Sequence, residues 1–199
     1  MSEIIITLAG LPDCAFIRSV SERTWPSTYG HIISQEQIDF MLDWMYSDAS
    51  LEKQMNTGCE FYIASKQNDN GDLDAVGFCS VSPEDYKAEV GNNAKAHKLN
   101  KLYVLPAAQG TGAGKALLNK SIEVAKAAGS TSLFLQVNKQ NTAYTFYWLL
   151  KHDPSHLDPT VAQIKLCHSS RFHRIVRTLG QRRQRQLLPA PCRMYLDLE

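Results

Sequence analysis

The chain has no hydrophobic stretch near the roughly 18 apolar residues that a membrane-spanning helix needs, so no span is expected. Its first ten residues, MSEIIITLAG, carry an acid and no basic cluster. That argues against a secretory leader and for a cytoplasmic protein. Cysteine is scarce: five residues, at 14, 59, 79, 167 and 192, odd in number, widely spaced and without C-x-x-C. A disulfide frame or a cysteine zinc site is thereby disfavoured, and reduced thiols are expected. Net charge is almost absent, +1 from 21 Lys+Arg and 20 Asp+Glu, which argues against a chain that works mainly by binding nucleic acid.

What is present suits a soluble globular domain. The 199 residues are 44% hydrophobic and 21% charged, enough to bury roughly two-thirds of the unfolded surface. The charge is unevenly spread. Residues 1–150 carry a balance of −4, whereas residues 151–199 carry +5 and four of the six histidines. Composition therefore divides the chain into a domain at 1–150 and a divergent basic segment at 151–199.

The most informative stretch is LYVLPAAQGTGAGKALL, Leu102 to Leu118. It reads as an apolar strand ended by Pro106, a glycine-rich turn, then a helix start. Gly110, Gly112 and Gly114 permit positive φ and leave backbone N–H groups unobstructed. Such groups at a helix N-terminus form an anion site, so a phosphate or pyrophosphate is the simplest ligand. A ligand-free glycine turn is the plain alternative. A Walker A loop is excluded, because Ala116 follows Gly114-Lys115 and Gln109 stands where the first glycine belongs. A dinucleotide fingerprint fits poorly, because the spacing is G-x-G-x-G and falls past the chain's midpoint.

The surrounding pattern gives an element order. Ile4–Leu8 reads as a strand. A helical pattern follows from Pro12-Asp13 with Ala15, Phe16, Val20 and Trp25 on one side, stopped by Pro26 and Gly30. Ser34 suits an N-cap for a second helix with Ile38, Met41, Leu42 and Met45 on one face and Glu36, Asp39 and Asp43 on the other. A short helical piece spans Leu51–Met55. Phe61–Ala64 and Ala75–Val81 form a hairpin through the Asn-Gly of NDNGD, 68–72. A polar connection at 83–95 leads to a strand at Lys98–Val104. After the glycines comes a helix bearing Leu117, Leu118, Ile122 and Ala125 and ending near Gly129. Leu133–Val137 is a buried strand, and Asn141–Leu150 a further helix.

Gln109-Gly110-Thr111-Gly112-Ala113-Gly114 matches Q/R-x-x-G-x-G/A, and on this motif and the element order residues 3–150 resemble the Gcn5-related N-acetyltransferase (GNAT) family. The likeness extends, more weakly, to the branch with bacterial polyamine and small-amine acetyltransferases. It implies an α/β (α+β) fold: a mixed, mostly antiparallel sheet flanked by helices, with splayed central strands. It also implies acetyl-CoA as cosubstrate. The backbone of Leu102, Tyr103 and Val104 would pair with the pantetheine arm. The N–H groups of Gln109, Gly110, Thr111, Gly112, Ala113 and Gly114 would hold the pyrophosphate, with Lys115 adding charge and no metal required. For the side chain of Tyr103, a plain strand aromatic is the simpler reading.

The reaction implied is direct attack of a neutral amine on the thioester. By resemblance Tyr147 returns the proton to the leaving thiolate, although a packed helix tyrosine is the alternative. Asn141 matches a cofactor-contacting asparagine, and an N-cap reading is equally good. Many relatives place a glutamate where this chain has Asn100, which cannot take a proton. His97, Glu84, Asp85 and Glu89 are near in sequence, and His97 is the named candidate beside a water relay or an ordinary surface histidine. An alkyl amine of pKa about 10 is scarce as free base near neutrality, so a deprotonation route is needed. The acceptor expected is a small-molecule amine, polyamine or peptide amine. Glu36, Asp39, Asp43, Asp48 and Glu52 would draw a cation, or simply form a solvated face.

The family's Gly-Phe after the helix tyrosine is missing, because Trp148-Leu149-Leu150-Lys151-His152 follows Tyr147. Val161–Cys167 and Arg193–Leu198 suit closing strands, and RFHRIVRTLGQRRQRQ between them is strongly basic. A hairpin with a basic insert, a disordered appendage and a frame-altered C-terminus all fit. Two other functions stay open: a catalytically silent acetyl-CoA-binding module, and nucleic-acid binding through the basic segment. A homodimer is left open as well.

Overall fold

A computed structural model describes residues 3–84, 95–138 and 141, and the backbone of strands at 161–168 and 191–198. The chain runs β1 (Ile4–Leu8), α1 (Cys14–Tyr29), α2 (Gln35–Tyr46), α3 (Asp48–Asn56), β2 (Glu60–Gln67), β3 (Leu73–Glu84), β4 (Ala96–Val104), α4 (Ala113–Ala127), β5 (Ser132–Asn138), β6 (Val161–His168) and β7 (Pro191–Leu198). These strands form one mixed sheet in the order β1-β2-β3-β4-β5-β7-β6. β4 and β5 are parallel and every other neighbouring pair is antiparallel. The expected helix at 141–150 lies, apart from Asn141, outside the described residues.

Local chemistry accounts for most boundaries. Ser34 caps α2 with a capping box: its hydroxyl accepts from the Gln37 N–H at 3.3 Å, and the Gln37 side chain accepts from the Ser34 N–H at 3.1 Å. Gly71 turns the β2–β3 hairpin at φ 88°, and Gly129 ends the α4 segment at φ 73°. Pro26 does not stop α1. The bond its missing N–H forfeits lies on an exposed stretch beside Glu22 and Arg23, where water can serve the carbonyl, so the helix continues to Tyr29. β3 also runs on to Glu84, shortening the polar connection expected from residue 83.

The sheet separates two apolar cores. On one face α4 packs Leu117, Leu118, Ile122 and Ala125 against Tyr62, Cys79, Val81, Leu99, Leu133 and Leu135. On the other, α1–α3 pack Ile17, Val20, Trp25, Ile38, Tyr46 and Leu51 against Phe61, Ile63, Phe78 and Leu105. β4 changes its alternation between the two. Val81 pairs with Leu99 and Ser80 with Lys101, so Asn100 is an extra residue, a β-bulge. Leu99, Leu102 and Val104 therefore belong to the α4 core, and Tyr103 to the α1–α3 core.

Phe78 lies at the centre of the second core, fully buried, with its ring centroid 6.3 Å from that of Phe61 and 5.7 Å from that of Tyr103. Phe78→Ala is expected to lower unfolding free energy by about 3–5 kcal/mol, measured by urea denaturation.

Candidate active site

The β4–β5 ladder runs from Ala96 opposite Ser132 to Leu99 opposite Leu135 and stops there. β4 continues to Val104 with only β3 paired along its other edge, Leu102 opposite Cys79 and Val104 opposite Gly77. Past the Asn100 bulge the two parallel strands have thus parted. The β5-facing edge of Leu102–Val104 is left with backbone groups suited to an added extended chain.

At the head of this opening Pro106–Ala108 forms a single 3-10 turn, and the chain passes through Gly110 at φ 79° and Gly112 at φ 94° before α4 begins. Thr111 Oγ1 donates to the Ala108 carbonyl at 2.6 Å, and Gln109 Nε2 donates to the Val104 carbonyl at 3.4 Å. The first four N–H groups of a helix have no intrahelical acceptor, and the dipole makes that end positive. Ala113, Gly114 and Lys115 occupy this first turn. A Cβ at Gly114 would make only ordinary contacts, 3.8 Å from Val104 Cγ2 and 4.0 Å from Leu102 Cδ2, which places the start of α4 over the end of β4. Leu102–Val104 and Gln109–Lys115 are thereby brought to one end of the opening.

The helix-layer side of the opening is aromatic. Asn141 Nδ2, three residues past β5, donates to the Tyr29 hydroxyl at 3.4 Å, and Tyr29 meets the Tyr103 hydroxyl at 3.4 Å. This chain of side chains crosses from the end of β5 to the end of β4. Behind it, Trp25 packs 4.6 Å from Tyr29 and 5.9 Å from Tyr46, and Tyr46 6.5 Å from Tyr103, centroid to centroid. Burial raises the pKa of all three phenols, those of Tyr29 and Tyr103 well above the usual value, so each stays protonated. The Tyr46 hydroxyl and the Trp25 indole N–H, both buried, make no hydrogen bond of ordinary geometry among the described residues.

Asn100 Nδ2 donates to Ser82 Oγ at 2.9 Å and approaches Cys59 Sγ at 3.7 Å. Next to it Lys101 turns its amine into the α1–α3 layer, donating to Gln54 Oε1 and lying 5.4 Å from the Phe61 ring centroid and 5.7 Å from that of Tyr46. Burial pushes this amine down to about 8, with Cys59 opposing the shift and Lys98 adding to it. His97 lies on the joined part of β4, opposite Leu133. It is buried, with Nδ1 2.7 Å from Ser130 Oγ, and desolvation lowers its pKa. His97 is therefore not brought to the opening. Tyr147, Asp85 and Glu89 lie outside the described residues, and Glu84 ends β3, exposed. Among the described residues no group of three His, Cys, Asp or Glu could hold a metal ion.

Sequence reading overlooked Tyr29, Tyr46 and Lys101. A signal existed for two of them. Tyr29 follows Trp25 by one helical turn, and Tyr46 extends the Ile38, Leu42 stripe at the same spacing.

The parted parallel strands and the left-handed glycines at the head of α4 define the class. Residues 17–148 match the Acetyltransferase (GNAT) family, and the chain belongs to it. It is thus an acetyl-CoA-dependent N-acetyltransferase. Over 149 residues it is 29% identical to a Bacillus subtilis (strain 168) protein described as uncharacterized N-acetyltransferase YuaI, covering 72% of this chain and 77% of that one. The fold resembles the PaiA N-acetyltransferase of Thermoplasma acidophilum, solved in complex with coenzyme A, at TM-score 0.67 and 20% identity, covering 98% and 99% of the two chains. It also resembles yncA of Salmonella typhimurium, a putative acetyltransferase solved with acetyl-CoA, at TM-score 0.52 and 21% identity, covering 100% and 94%.

Because the folded protein holds Lys101 at a lower pKa than the unfolded chain, the unfolded chain binds more protons between about 8 and 10.5. Lys101 therefore opposes folding below pH 8, and this effect fades as pH rises through that window. Urea unfolding of Lys101→Met should show the wild type gaining stability relative to the variant from pH 8 to 10.5.

Proposed function

We propose that the chain moves the acetyl group of acetyl-CoA to a primary amine by direct attack on the thioester. One observation carries the reading: the β4 edge at Leu102–Val104 loses its β5 partner beside a helix head built on two left-handed glycines. The open edge suits the two amides of a pantetheine arm, and the N–H groups of Gln109–Gly114 with Lys115 suit the diphosphate. Tyr147 is assigned the proton return to the thiolate, and Asn141, beside Tyr29 at the opening, a contact to the bound cosubstrate. The 151–199 segment is read as closing the same domain, since two of its strands extend the sheet beyond β5. The cytoplasm is the compartment assigned, in keeping with free thiols at Cys14, Cys59 and Cys79.

His97 is not assigned as the base. Its ring nitrogen is engaged with Ser130 and it stands on the joined part of the ladder, so its role is to tie the foot of β4 to the end of α4. His97→Ala is expected to lower stability while leaving the pH–rate profile in place. A displaced inflection would restore it as a base.

Thermal unfolding with and without acetyl-CoA tests the reading as a whole. At 100 times its dissociation constant a ligand adds roughly 2.7 kcal/mol of stability. Thiol release with an amine then establishes the transferase. Binding with no release on any amine points instead to a silent module, and salt-sensitive binding to duplex DNA without acetyl-CoA binding to the basic segment's function. Gly112→Ala, forced to hold φ near 94°, should lose about 1–2 kcal/mol of stability and much of the acetyl-CoA effect.

A further inference from the structure

The acetyltransferase reading leaves two questions: how an amine loses its proton beside Asn100, and which amines are taken. We propose that the acceptor binds as the neutral amine against the Tyr29 and Tyr103 hydroxyls, and that preferred acceptors carry one amine on an apolar or aromatic body rather than being polyamines. The inference rests on the acetyltransferase reading of the opening.

Placement is the first support. The Asn141–Tyr29–Tyr103 chain spans the parted strands on the face opposite α4, so an acceptor entering from the helix layer meets it first. Both contacts are 3.4 Å long, at the outer edge of hydrogen bonding, and are readily exchanged for an incoming N–H. Phenol oxygens that accept the amine's N–H groups leave its lone pair directed at the thioester carbon. On attack the C–N bond forms, the C–S bond breaks, and the nitrogen's extra proton leaves as the thiolate gains one.

The surroundings supply the second. Packed against the two tyrosine rings are Trp25 from α1, Tyr46 from α2 and Phe78 from β3, with Lys101 two residues earlier on β4 and Cys59 near that lysine. No carboxylate joins them among the described residues. Among the described residues, the charge influences on Tyr29, Tyr46 and Tyr103 come from one another. Two of the acids expected to draw a polyamine lie elsewhere: Asp39 and Asp43 line an outer α1–α2 groove with Arg18 and Glu22, and Asp39 accepts from Gln35 at 2.7 Å. Among the described residues, a second ammonium at the opening would find no counter-charge.

Lys101 is the chain's own example of such an amine. It shares the Tyr46 ring with this cluster, and burial, with Lys98 adding to the shift and Cys59 opposing it, brings it down to about 8 from 10.5. Desolvation of an acceptor nitrogen in the same layer releases its proton without a dedicated base.

The test compares phenethylamine and hexylamine with putrescine and spermidine by thiol release, in wild type, Tyr29→Phe and Tyr103→Phe, whose rings preserve packing. Monoamines should show the higher kcat/KM. Either variant should raise acceptor KM about 3- to 10-fold with acetyl-CoA KM unmoved. The kcat profile, which reports the bound complex, should inflect below the amine's solution pKa, while kcat/KM follows that solution value across the panel. Spermidine preferred, or acceptor KM unmoved in both variants, would overturn the inference and leave the acetyltransferase intact. If acetyl-CoA binds but nothing turns over, calorimetry of phenethylamine with the CoA-bound protein decides: weaker binding in Tyr29→Phe supports it, no binding to wild type overturns it. No stabilisation by acetyl-CoA removes both readings.

Discussion

One extra residue in β4 governs the arrangement around the opening. A strand alternates sides strictly, so without the bulge at Asn100 the side chain of residue 103 would share the face of Leu99 and lie under α4. With it, Leu102 and Val104 stay with the α4 core and Tyr103 turns to the helices of the other layer. The same irregularity falls where the β4–β5 ladder ends, because a bulge bends its strand and tightens its twist. Parting of the strands, exposure of a backbone edge and direction of Tyr103 into the aromatic layer follow from a single insertion.

Much of this fold was legible because its signals are local. The Ser34 cap, the Asn-Gly turn and the apolar run at β5 each specify their element within a few residues. The glycine-rich head of α4 was legible for the same reason: a left-handed residue beside a helix start leaves few sequences to choose from. Pro26 shows the limit, since whether it ends a helix depends on what covers the carbonyl one turn back, and that is a tertiary matter.

The aromatic side of the opening was hidden because nothing local encodes it. Tyr29, Tyr103 and Asn141 are separated by 74 and 112 positions from their contacts and meet only after β4 has taken its bulge. Asn100 reads in sequence as a lost carboxylate. In the fold it is the bulge residue, bonded to Ser82, while its neighbour Lys101 turns an amine into the helix layer. His97 was drawn into consideration by proximity along the chain, yet register puts it on the closed part of the ladder.

The sheet also acts as a partition with a bearing on how such a protein can change. The glycines that suit a nucleotide-bearing thioester belong to the head of α4, whereas the aromatic wall is built by α1 and α2 with Tyr103 of β4. Substitutions in the two helices can therefore remodel one specificity with little disturbance to the other. A lineage built on this plan can exchange acceptors by small steps, each retaining the activated donor that every intermediate form would need.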